Sequence, residues 1–448
     1  MHVALVTQGV PEPQSGGSAL INWGILNSLR NDAHQVTVCV LLSAAEAEAH
    51  DGLEHRLAPL VKLGAQVEVL SFSPSSSATA LPLTRAGAGR LTWYHELRRA
   101  TSATLIDDYP AAALASELRR LLERIEPDVV YVFDCGPAAA LRDFHLAPRM
   151  VVLGDPYHLV WRHRLRHTRR VLGRSYPLQL LACALSTRRL QRRIVEAVTG
   201  YESIGWFGAQ HAAWLQAQGV PCRSVRPPVV DMAGPDWEKR RRACPPRAKP
   251  KIVMLGHLLG TANLSGLHPF VRETLPRLER RLGPDRFEVH IIGRDEPPAD
   301  LAQGLRRPAI RLRGHVEDLE MELLSSDVLL APSAYPVGMR MRILTALSFG
   351  CCVVAHRLSA HGIPELVSGE NCLLGSDGHE LAECIVRVLN DEPLRRRLGQ
   401  NARAAYARDF SLEHAGAWIV AELERLAHER RRRRSADGQA AYLLGNGQ

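Results

Sequence analysis

Lysine is nearly missing from this 448-residue chain: of 56 basic residues only four are lysines, Lys62, Lys239, Lys249 and Lys251. The rest are arginines, whose planar and permanently charged fork suits phosphate and anionic surfaces. Aromatics are also scarce, at 5%. No basic–aromatic ladder, zinc finger or RNA-binding sheet motif accompanies the net charge of +9, so nucleic acid is not an expected partner. No apolar run reaches the roughly 20 residues that a membrane helix needs. The start MHVALVTQGVPEPQSGG lacks the basic and apolar regions of a signal peptide, and a cytoplasmic protein is expected. Nine scattered cysteines include no C-x-x-C pair, which argues against a disulfide framework and against zinc.

What is present is an alternation of short apolar strands with helices of ten or more residues. HVALVTQ, QVTVCVLL, QVEVLSF, DVVYVFD and RMVVLGD read as buried strands, separated by sequences such as SALINWGILNSLR. The segment DMAGPDWEKRRRACPPRAKP is polar and loop-like, and the alternation restarts after it with KIVMLG, FEVHIIG, IRLRG and DVLLAPS. This pattern predicts an α/β protein of two doubly wound parallel sheets, each in a Rossmann-like domain, with a central cleft facing the carboxyl ends of the strands. The expected domains are 1–231 and 250–410, joined by a linker at 232–249. A final helix at 411–429 precedes a basic tail at 430–448, expected to be disordered.

Four stretches carry candidate chemistry. In PEPQSGGSAL, Gly16 and Gly17 join a strand to a helix, serving either a tight turn or a ligand loop; the pattern is neither a dinucleotide fingerprint nor a P-loop. In GHLLGTANLSGL, Gly256 ends a strand and Asn263 either caps a helix or holds a ligand. In VLGDPYHLVWRH, Asp155 and His158 follow a strand end, where ligand groups collect, although an Asp-Pro turn with an exposed histidine reads equally well. In GMRMRILTALSFGCCVVAH, Arg340 and Arg342 stand where a helix begins, adding two cations to free N–H groups and a positive dipole end. An anion is the natural occupant, and phosphate the commonest.

Taken in order, GHL…AN, VHIIGRD, RLRGHVEDLEMELLSSDVLLAPS and GMRMRILTALSFGCCVVAHRLSAHGIPELVSGENCLLG resemble the donor-binding domain of retaining GT-B glycosyltransferases of the GT4-like group. The resemblance covers most of 250–410 and reaches the first half more loosely through SGGSAL and RPPVVD. It implies a nucleotide diphosphate sugar as donor, with Gly16 and Gly17 near the diphosphate and Arg340 and Arg342 holding it. Arg294 is a further candidate there. His315 and Val316 would lie against the base, and His158, or Asp155 beside it, would approach the sugar. No cofactor and no obligatory metal are implied.

One departure stands out. The family commonly has two glutamates eight positions apart, and the equivalent positions are Val337 and Thr345. Thr345 offers one short hydroxyl where a carboxylate would accept two ribose bonds. Glu365, in HGIPELVSGENC, is a further carboxylate of this region.

The expectation is a glycosyltransferase acting on an unidentified acceptor. The alternatives are a catalytically silent partner in a glycosylation complex and a nucleotide-sugar epimerase or hydrolase. The arginine-rich stretch HLVWRHRLRHTRRVLGRSYPLQLLACALSTRRLQRRIVEA reads either as solvated surface helices or as a contact with an anionic membrane, which would place the protein at the inner face of the membrane.

Overall fold

The computed structural model describes residues 1–13, 17–48, 50–72, 111–156, 158–160, 176–256, 258–293, 296–336 and 338–445. The chain divides into two compact units, Met1–Pro227 with Ala415–Gln448, and Pro228–His414.

The first unit is built on a seven-stranded sheet in the order β3-β2-β1-β4-β5-β6-β7. Its strands are β1 His2–Gln8, β2 Gln35–Ser43, β3 Gln66–Phe72, β4 Val129–Phe133, β5 Arg149–Leu153, β6 Ser203–Phe207 and β7 Arg223–Val225. All pairings are parallel, and β4, β5 and β6 are buried along their whole length. Uninterrupted apolar runs such as VVYVF behave this way because helices cover both faces of the sheet. Those used below are α1 Gly17–Asn31, α2 Cys135–Ala140 and α3 Tyr176–Val198.

The second unit has a six-stranded parallel sheet, β10-β9-β8-β11-β12-β13. Its helices include α4 Trp237–Arg242, α5 Thr261–Pro269, α6 Leu319–Leu324, α7 Met341–Ser348, α8 Gly378–Asn390 and α9 Glu392–Asp409. The strands are β8 Lys251–Leu255, β9 Glu288–Ile292, β10 Ile310–Gly314, β11 Val328–Ala331, β12 Val353–His356 and β13 Leu373–Gly375. The strand order reverses at β1/β4 in one sheet and at β8/β11 in the other, which in open α/β sheets is where ligands bind beyond the carboxyl ends.

Two boundaries differ from the sequence reading. Residues 232–249, expected as a linker, belong to the second unit. The Val229 N–H donates to the Phe410 carbonyl at 2.8 Å, the Tyr406 hydroxyl donates to the Val229 carbonyl at 2.8 Å, and Asp231 pairs with Arg403. Arg241 of α4 donates to the carbonyls of Ser326 and Phe349 at 2.8 and 3.1 Å, supplying a cation to the end of α7. The last helix, α10 Ala417–Gly445, runs through most of the segment expected to be a disordered tail. It packs in the first unit, where Arg430 donates to the Pro127 carbonyl at 2.7 Å and Arg431 pairs with Asp128 at 2.9 Å. The apolar face of Ile419, Leu423 and Leu426 is fully buried, so the helix is held by packing before the arginine run begins.

Candidate functional site

At the strand-order reversal of the second sheet, β8 ends at Leu255 with Gly256 directly after it, and β11 ends at Ala331. Gly256 has φ +127°, a conformation that side-chain-bearing residues rarely adopt. A Cβ there would lie 2.7 Å from both terminal nitrogens of Arg342 and 2.7 Å from the Asn263 amide nitrogen. Glycine at this strand end is what allows the guanidinium to come over the backbone.

Arg342, the second residue of α7, donates through Nη1 to the Leu255 carbonyl at 2.5 Å and to Oδ1 of Asn263 on α5. Both acceptors are neutral. Burial, reinforced by the charge of Arg340, lowers its pKa to about 9. Arg340 is 8% exposed, donates to the Tyr335 carbonyl at 2.8 Å, and lies over the Tyr335 ring at 5.2 Å from its centroid. Two guanidiniums are thus held together within a strongly desolvated spot at the N-terminal end of a helix. The Coulomb cost of that arrangement falls when an anion arrives.

The structure therefore brings Gly256, Asn263, Arg340 and Arg342 into one place. Thr345 lies on the same helix but is 4% exposed, inside the packed face of α7. His315 and Val316 follow β10 at the sheet edge, His315 exposed and Val316 half-buried. Gly314, before them, has φ +61°, and its carbonyl accepts from Gly293 N–H at 2.9 Å at the end of β9. Arg294, Val337 and Gly16 lie outside the described residues, and Gly17 is the exposed first residue of α1. Sequence reasoning missed Tyr335. Its signal was the YP pair after DVLLAPS, in which the proline restricts the backbone of the residue that supplies the carbonyl and ring used by Arg340.

In the first unit Asp155 is exposed after β5, whereas His158 is 3% exposed, contrary to the exposed-histidine reading. His158 stacks on Trp214 with centroids 4.7 Å apart and meets Trp206 edge-on at 6.4 Å. Trp206 is fixed by its indole N–H donating to the Gly154 carbonyl at 2.9 Å. The aromatic cage and its burial, with His211 nearby, lower the His158 pKa to about 4, so the ring is neutral at pH 7. Its Nδ1 is buried with no hydrogen-bond partner among the described residues.

Residues 249–391 match the family model described as Glycosyl transferases group 1. No curated protein matches the chain by sequence. Among solved structures, HepE from Anabaena in complex with UDP superposes with a TM-score of 0.62 at 16% identity, covering 95% of this chain and 100% of that one. Sucrose-phosphate synthase from Thermosynechococcus elongatus gives 0.61 at 14% identity, covering 95% and 98%. TarM gives 0.63 at 11% identity, with the same coverage of 95% and 98%. These likenesses extend over both units and establish the fold. The chain has the GT-B fold, and the match to the group 1 glycosyl transferase model lies within its second unit.

Proposed function

We propose that the protein transfers a sugar from a nucleotide diphosphate sugar to an acceptor with retention of anomeric configuration, using Arg340 and Arg342 to hold the diphosphate. The observation that carries this reading is Arg342 itself: a half-buried guanidinium whose hydrogen bonds go to neutral oxygens and whose pKa is lowered by desolvation and by the charge of Arg340. Such a pair is costly alone and favourable around a phosphate. HepE, which shares the fold, is a UDP complex, which supports a nucleotide-bound donor here.

Breaking the bond between the anomeric carbon and the diphosphate builds negative charge on the leaving oxygen and oxocarbenium character on the sugar. Guanidiniums and helix N–H groups aimed at that oxygen lower the barrier without proton transfer, so no obligatory metal is required in this scheme. His315 and Val316 serve the base, Gly16 and Gly17 the diphosphate, and Asp155 or His158 the sugar; Arg294 is a further diphosphate contact. Among the described residues no helix is long and apolar enough to cross a membrane. Four exposed arginines on α3, Arg188, Arg189, Arg192 and Arg193, support peripheral contact of the protein with an anionic lipid surface that presents the acceptor.

The test is thermal stabilisation and slow nucleotide release across UDP-, GDP-, ADP- and dTDP-sugars, with Arg340→Ala and Arg342→Ala as controls. One donor should stabilise and be slowly cleaved, with both effects lost in the variants. The buried Thr345, where the family has a carboxylate, favours a second reading as a silent partner. That reading prevails if no nucleotide sugar changes the protein.

A further inference from the structure

A cationic cavity lies at the amino ends of the strands of the second sheet, away from Arg340 and Arg342. It has a volume of about 460 Å³, within the range of small-molecule pockets. Residues at the amino ends of the strands, Pro250 before β8, Asp327 before β11 and Cys352 before β12, form its floor, and α4 and α9 form its walls. Six of its lining side chains are cationic: Arg241, Arg242, Arg247, Lys249, Arg395 and Arg396. Only three, Glu238, Asp327 and Glu392, are acidic.

These carboxylates are already engaged. Glu238 pairs with Arg242 at 2.8 Å and Glu392 with Arg396 at 3.4 Å. Asp327 is shared between Arg247 at 2.5 Å, Arg395 at 3.6 Å and the Lys251 N–H at 2.8 Å. Arg241 spends its Nη groups on main-chain carbonyls, and its buried Nε has no acceptor among the described residues. Ion pairing inside the cavity thus leaves a net charge of about three cations, the excess of six over three, beside the half-buried indole of Trp237.

We infer that this cavity is a second binding site, for a small ring-bearing molecule that carries two or more negative charges on phosphate. The charge excess selects the anion, guanidiniums fit its oxygens bidentately, and Trp237 offers a face for the ring. The site is separate from the arginine pair proposed for the diphosphate. Arg340 and Arg342 stand at the start of α7, while Gly350, just past its end, lines the cavity, and eight helical residues span about 12 Å. The carbonyl of Gly350 also lies where a Cβ on Gly399 of α9 would come within 2.5 Å, so the C-terminal end of α7 has no slack against the cavity wall. A ligand that braces α4 and α9 here bears directly on the helix that carries the arginine pair.

The test uses the full chain at physiological salt, with UMP and inorganic pyrophosphate as probes, in the Arg342→Ala background so that the other arginine pair is disabled. Calorimetry should show saturable one-to-one binding that weakens at least tenfold when Lys249→Gln and Arg396→Gln are added; neither residue belongs to the apolar core. UMP should bind more tightly than pyrophosphate. In wild type, pyrophosphate should slow amide exchange in residues 237–250 and 391–400. Absence of saturable binding, binding that ignores Lys249→Gln and Arg396→Gln, or exchange unchanged in both segments overturns the inference. None of these outcomes depends on sugar transfer, so the failure of one reading is distinguishable from failure of the other.

Discussion

Arg342 reaches the end of β8 only because Gly256 has no side chain: a Cβ there would sit 2.7 Å from both of its terminal nitrogens. Gly256→Ala therefore forces two changes, a strained φ near +127° and a displaced guanidinium. The expected stability loss is about 1–3 kcal/mol, set mainly by backbone strain because the arginine tip is able to move. Donor-induced stabilisation should fall further than that, and a calorimetric scan with and without nucleotide sugar separates the two effects. Unchanged donor binding in a folded Gly256→Ala protein removes Arg342 from the diphosphate site.

Arg342→Met should separate stability from binding in the opposite sense. The wild-type cation is half-buried, and desolvation together with the charge of Arg340 lowers its pKa to about 9, so its charged form is disfavoured by the fold. A methionine of similar reach removes that repulsion, at the loss of bonds to Leu255 and Asn263. The net change in unfolding free energy should lie within about 2 kcal/mol of zero, with donor stabilisation abolished. A loss well beyond that range by denaturant titration marks Arg342 as a structural residue instead.

The site was only partly legible in the sequence. Gly256, Asn263, Arg340 and Arg342 stand out as candidates because a strand end and a helix start each impose local residue types, and parallel strands alternate with helices recognisably. Tyr335 was missed because its contribution is a carbonyl and a ring face, neither of which leaves a charge pattern. Residues 232–249 look like a linker by composition, yet Asp231 and Arg241 tie into partners 172 and 108 positions away, Arg403 and Phe349. Spacing cannot reveal such pairings. The burial of His158 was hidden for the same reason: its cage comes from Trp206 and Trp214, on a different strand and helix.

His158 makes stability depend on mildly acidic pH. Its folded pKa of about 4 lies below the model-peptide value of 6.5, so the unfolded chain binds the extra proton first. Its contribution is undiminished above pH 6.5 and is lost progressively as pH falls towards 4, by up to about 3 kcal/mol. The His158→Phe variant, which keeps the stacking on Trp214, should lack this part of the pH dependence in urea titrations between pH 7 and pH 4. A rate profile should likewise show no inflection near pH 6.5 from this residue. Identical pH–stability curves for the two proteins contradict the assignment.

Glu322 supplies a dependence of the same direction, at lower pH, in the second unit. Its carboxylate accepts from His290 Nδ1 at 3.2 Å, from the buried Lys251 ammonium at 2.7 Å and from Arg313 at 3.1 Å. The bond with His290 is the largest influence, and together these donors hold its pKa at about 2 against 4.5 for the free side chain. The carboxylate's contribution is therefore present above pH 4.5 and lost as pH falls towards 2, the sign opposite to a histidine stabilised by charge. Glu322→Gln removes the charge but keeps the shape, leaving Lys251, 5% exposed, without its carboxylate. The expected cost at pH 7 is about 2–3 kcal/mol, shrinking as the wild-type carboxylate protonates. Adding Lys251→Met should recover much of that loss, because the uncompensated ammonium goes with it. A double variant no more stable than Glu322→Gln alone would mean that the pair is not the source of the cost.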